Sequence, residues 1–119
     1  MIELSDDDLV FSFPEVHPEA NLRISFHRAL RIPDDGREYP LPPGLGSFPL
    51  RHIDDFGADV PEPWLRHGGV MMPVYQSEAL WMSFSADVVR DRGVEYPFAV
   101  KIAAGKINAV IGEAWSDGL

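Results

Sequence analysis

His52, Asp54 and Asp55 set an imidazole and two carboxylates close together in the chain, a donor set able to take a divalent cation if His67 or Glu78 completes the shell in space. The spacing matches no metal-binding signature, and catalytic zinc sites use three well-placed protein ligands. Solvated acids at a strand end explain the same residues without a metal. Gly105 and Lys106 end like a phosphate-binding loop, but Val100 stands where that loop needs its first glycine and Ile107 where it needs a hydroxyl for magnesium. A hairpin turn is the better account. For nucleophilic catalysis there is no cysteine, no serine in a Gly-x-Ser-x-Gly setting, and no His beside a Ser with an evident orienting acid. His17 and His27 fall at polar loop and strand positions, where exposed or capped imidazoles are ordinary.

Two patterns concern recognition instead of bond breaking. Arg37-x-x-Pro40-x-x-Pro43 has the basic residue and proline spacing of a ligand for polyproline-reading domains, which requires an exposed left-handed helix. The competing role is an internal strap with Tyr39 and Leu41 packed on the core, and this is the expectation. Tyr75, Gln76, Glu78 and Trp81 combine amphipathic aromatics with an amide and a carboxylate, a mixture suited to an interface or a ligand pocket. Core packing of Trp81 is the plain alternative. Met71, Met72 and Met82 supply soft, adaptable apolar surface nearby.

Composition bounds the partners. With 19 acidic and 10 basic residues the net charge is -9, which repels phosphate backbones and argues against nucleic acid. Eight of the cations are arginine, the residue suited to bidentate pairing with carboxylates. The absence of cysteine removes disulfides and thiolate sites and suits a reducing compartment. The acidic start, MIELSDDDLV, is unlike a secretory peptide, and no apolar run approaches the ~20 residues of a spanning helix. A cytoplasmic protein with no membrane contact is expected.

The elements that must position these residues are read from periodicity. Leu9 to Phe13 and Leu22 to Leu30 read as strands, the second by alternation of Leu22, Ile24 and Phe26 with Arg23, Ser25 and His27. Residues Ile32 to Pro49 hold five prolines and three glycines, so they form a shaped, non-repetitive stretch. Within it, Pro33 to Gly36 fits a hairpin turn followed by a short strand cut at Pro40. Ser47 to Ile53 is expected to be extended, burying Phe48 and Leu50. Asp59 looks like the cap of a short helix through Trp64 to His67, stopped by Gly68 and anchored by Trp64 and Leu65.

Residues 69 to 75 hold Pro73 and suggest an edge strand or bulge. Within Ser77 to Ser85, SEALWM would fit a capped helix while Leu80, Met82 and Phe84 alternate as in a strand, and a strand is expected; Ala86 to Gly93 fits one helical turn, and Tyr96 to Ala103 with Ile107 to Gly112 fits a closing hairpin. The sum is a single compact domain over 1–119, mainly β or α+β, barrel-like or a sandwich, of about six or seven short strands with one short helix.

The strings RIPDDGREYPLPPGLGSFPLRHIDDF, PEPWLRHGGVMMPVYQSEALWMSF and GKINAVIGE resemble a family of uncharacterised bacterial proteins. The resemblance runs from about residue 26 to about residue 115, and the proline stretch and YQSEALWMSF are its more specific parts. Members of that family continue beyond the equivalent of Trp115, so the resemblance implies a minimal or N-terminal part of a longer type. It implies no activity and no catalytic residue. Some members carry a membrane-protein label, against which the lack of a spanning run argues.

The function expected is a non-enzymatic interaction or assembly module, needing no cofactor or metal. It would contact a protein partner or a second copy through Tyr75, Gln76, Glu78 and Trp81. The alternative is a small enzyme or ligand binder using carboxylates and His52, with Arg51 or Lys101 holding an anionic substrate.

Overall fold

The computed structural model describes residues 1–118. In chain order the strands are β1 (Ile2–Ser5), β2 (Asp8–Ser12), β3 (Asn21–Leu30), β4 (Gly44–Ser47), β5 (Arg51–His52), β6 (Val70–Met71), β7 (Glu78–Ala86), β8 (Val88–Val89), β9 (Val94–Glu95), β10 (Ala103–Ala104) and β11 (Ile107–Asn108). One α-helix, α1 (Glu62–His67), follows a 3-10 stretch at Ile53–Asp59. The described residues are strand-rich with one short α-helix. Its main sheet has five strands, all antiparallel, with β3 at the centre. β2 and then β4 lie along one edge of β3, and β7 lies along the whole of the other. β5 with β6, β8 with β9, and β10 with β11 form three separate two-residue hairpins or ribbons.

Alternation in β3 does what its sequence requires. Leu22, Ile24 and Phe26 share a face with Leu9 and Phe11 of β2, with Ile2 and Leu4 of β1, and with Met82 and Phe84 of β7. Arg23, Ser25 and His27 share the opposite face with Asp8, Ser83 and Ser85, where Arg23 pairs with Asp8 at 3.1 Å. β1 and β2 are joined by Asp6 and Asp7, with φ of 51° and 66°, the paired left-handed conformation of a type I′ hairpin turn. The Asp7 carboxylate then accepts from the Leu50 N–H at 2.9 Å and from Arg51 at 3.0 Å. That turn is thereby tied to the best-buried part of the chain.

The core is small. Phe48 is 0% exposed and Leu50 1%, and with Ile53, Ala20, Leu22, Ala29 and Val89 they complete the buried apolar set among the described residues. Phe48 is held by its N–H to the Phe26 carbonyl at 2.9 Å, which extends the edge pairing of β4 with β3 past Ser47. The accessible surface is 9147 Å², against about 6,500 Å² for a compact chain of this mass. The radius of gyration is 17.0 Å, against about 13–14 Å for this length. On the sheet's apolar face Leu22 is buried, Leu9, Phe11, Ile24, Phe26 and Met82 are half-buried, and Leu80 and Phe84 are exposed, so that face is only partly covered.

Several expectations need correction. The sheet is open and closes into no barrel. The proline stretch is displayed, not internal: Leu41 is 94% exposed and Tyr39 is exposed too. Pro33 to Gly36 forms only a bend at Asp35 and Gly36, not a hairpin turn, and pairing with β3 resumes only at β4, since Pro40, Pro42 and Pro43 offer no N–H to a ladder. Asp35 organises this loop instead, accepting from the Tyr39 hydroxyl at 2.6 Å and the Arg37 N–H at 3.1 Å. Asp59 does not cap α1; Pro61 occupies that position, and the helix buries no residue, so Trp64 is no anchor. Gly68 does stop it, at φ 67°, with its N–H on the Trp64 carbonyl at 2.9 Å.

Residues 86 to 93 are not helical: Val88, Val89 and Val94 are β-branched, and they form the β8–β9 hairpin with Val89 buried. The closing hairpin turns at Gly105 and Lys106 as expected, but it pairs only two residues a side. Asn108 ends it early by accepting at its Oδ1 from the Val110 and Ile111 N–H groups, an Asx turn that bends the chain away.

Candidate functional site

The sheet's apolar face and its β7 margin form the candidate site. A groove of about 490 Å³ runs between that face and the returning segment Phe98–Ala103, floored by Phe11, Leu22, Ile24, Phe26, Met82 and Phe84. Its size falls within the range of small-molecule sites, and its lining is almost wholly apolar, with Lys101 at the margin. Lys101 is already engaged by the carbonyls of Ser116 and Gly118 and lies 4.4 Å from the Trp115 ring centroid. It is not free to hold an anion. Phe98 is fixed by tilted ring contacts with Phe13 at 5.9 Å and Tyr96 at 5.3 Å, so one wall is built of aromatics.

The four residues expected to form one contact patch are divided by the sheet. Glu78 is grasped by Arg28 across the strands, with Nε to Oε2 at 2.8 Å and Nη2 to Oε1 at 2.6 Å. Tyr75 lies beside the same guanidinium, 5.4 Å from ring centroid to Cζ, and the buried Phe48 ring lies 5.9 Å from it. The hydrogen bonds from Arg28 hold the Glu78 carboxyl below the usual glutamate range, and Glu78 in turn raises Arg28. Gln76 is exposed in the turn that leads into β7.

Trp81 lies on the other side of the sheet. Its ring stacks on His27 at 3.9 Å between centroids with planes 22° apart, and it is 50% exposed. Core packing does not hold Trp81. Phe48, the fully buried aromatic, takes that role.

His27 Nε2 also lies 2.7 Å from Ser83 Oγ, a contact that the sequence reading missed because 56 residues separate the pair. The register Ser25↔Ser83 and His27↔Trp81 makes it: His27 and Ser83 are diagonal neighbours on one face. Among the described residues no carboxylate orients His27, so the pair lacks the third member of a nucleophilic triad. His52 and Asp54 line a groove of about 390 Å³ with Glu3, while Glu78 is committed to Arg28. Among the described residues no three His, Cys, Asp or Glu side chains are placed to hold a metal ion. No helix among them is long and apolar enough to cross a membrane.

Comparison with protein-family models, with curated protein sequences and with solved structures found no match.

Proposed function

We propose that this protein is a non-enzymatic assembly module, whose incompletely covered apolar sheet face is finished by association with a protein surface. The observation that carries the reading is the accessible surface. It exceeds that of a compact chain by on the order of 2,700 Å², and it includes half-exposed Phe84 and Leu80 on the face that should be a core. An obligate protein interface buries about 1,000–2,500 Å² on each partner, so the excess is of interface size. The net charge of -9 and the absence of thiols fit a contact between proteins in the cytoplasm and oppose one with nucleic acid. Apposition of two such faces would supply the sandwich core that one copy lacks.

The alternative, a small ligand binder, draws support from the 490 Å³ groove beside Phe98. The groove lacks the few convergent polar groups that fix a ligand's orientation, and Lys101 at its margin is occupied. Light scattering over a range of concentrations tests the assembly reading. A mass above that of one chain supports it, and a single-chain mass at every concentration removes it.

A further inference from the structure

We infer that the partner is a second copy of this chain, joined through the free edge of β7 in an antiparallel pairing centred on Met82. This rests on the assembly reading and names its contact. Arg31 N–H donates to the Ser77 carbonyl at 2.9 Å, and Asp87 N–H donates to the Asn21 carbonyl at 3.1 Å, just outside the two ends of the strand pair. Hydrogen-bonded and non-hydrogen-bonded pairs alternate along an antiparallel ladder. The nine-residue register Leu22↔Ala86 to Leu30↔Glu78 runs unbroken between those two bonds. Odd-numbered residues of β7 therefore bond to β3. The backbone groups of Leu80, Met82, Phe84 and Ala86 point the other way, where no strand among the described residues pairs with them.

Natural edge strands are blunted by lysine, proline, bulges or shortness. β7 has none of these: it is nine residues long, regular, and without proline or lysine. Its sole charge, Glu78, is neutralised by Arg28. The strand is also complementary to itself. About a two-fold axis at Met82, Leu80 faces Phe84 of the other copy, Trp81 faces Ser83, and Glu78 faces Ala86, so no like charges oppose.

Leu80, Met82 and Phe84 each exchange two bonds with the opposing strand, about six in all. The joined sheet has twice the five strands of one copy, with the apolar faces on one side. Twisted sheets near ten strands curl or split into packed layers. Pairing thus gives the two apolar halves, on which Leu80 and Phe84 are exposed in one copy, a route to cover each other.

The chain has no cysteine, so single-cysteine variants report the register directly. In the full chain, Met82→Cys puts two thiols across the axis with Cα atoms about 5.5 Å apart, within disulfide reach. Leu80→Cys puts them about 14 Å apart, out of reach. The proposal expects a two-chain mass by light scattering and oxidative cross-linking fastest for Met82→Cys. Met82→Pro removes an outward backbone donor and a partly buried side chain but no bond to β3, so it should keep the far-ultraviolet circular dichroism, with a somewhat lower urea midpoint, and weaken dimerisation about tenfold or more. Dimers whose cross-linking peaks at another position, or that Met82→Pro leaves unchanged, overturn this contact while the assembly reading stands. A single-chain mass at all concentrations overturns both.

Discussion

Phe84→Ala offers a quantitative test, because that ring lies on the apolar face of β7 and is 42% exposed in one copy. A phenylalanine offers about 200 Å² of surface, so about 85 Å² awaits cover. At about 25 cal/mol per Å², covering it contributes about 2 kcal/mol for each copy and about 4 kcal/mol for a symmetric dimer. Loss of the ring should therefore raise the dimer dissociation constant by up to about a thousandfold. Phe84 already stands opposite Ile24 of β3 and lines the groove with Phe98, so the fold will also weaken. Sedimentation equilibrium at denaturant-free concentrations reads the dissociation constant, while urea unfolding of the dilute protein reads the fold separately. A dissociation constant within about threefold of the wild type, in a variant that remains folded, would refute the claim that this face is covered on association.

Phe48→Ala empties the most enclosed site of a small core and should cost about 3–5 kcal/mol, read as a lowered urea midpoint. Leu41→Ser, on a side chain that is 94% exposed, should leave that midpoint where it was. Trypsin should cleave the native protein at Arg37 well before other sites, since the whole connection from β3 to β4 lies at the surface; resistance there would contradict the displayed loop. Arg28 lowers the folded-state pKa of Glu78 through its hydrogen bonds, so the contribution of the pair is present above the ordinary glutamate range and is lost as pH falls through the lowered folded value. Urea midpoints of wild type should drop across that acid interval, and those of Glu78→Gln should be lower at neutral pH and flatter there.

Sequence periodicity carries the two longest strands, central β3 and edge β7. Leu22, Ile24 and Phe26 alternate with polar partners and mark β3 plainly, while Leu80, Met82 and Phe84 repeat the pattern in β7 although SEALWM alone also fits a capped helix. The burial of Phe48 and Leu50 followed from the same logic. Parity also tells against a single patch: residues 78 and 81 are an odd number apart, so a strand must send them to opposite faces.

The rest depends on partners distant in sequence. β1 was hidden because its turn uses Asp6-Asp7 where Asn-Gly or Asp-Gly is the usual signal. Whether the proline stretch is covered or displayed depends on what lies beneath it, and nothing in Ile32 to Pro49 records that. The meeting of His27 with Ser83, and the freedom of one edge of β7, arise only from register and strand order.

Amide hydrogen exchange at Leu80, Met82 and Phe84, followed from dilute to concentrated protein, addresses the self-association through β7 most directly. Slow exchange that appears only as concentration rises, with Trp81 and Ser83 protected throughout by β3, is the predicted result. Fast exchange at those three amides at every concentration would contradict it.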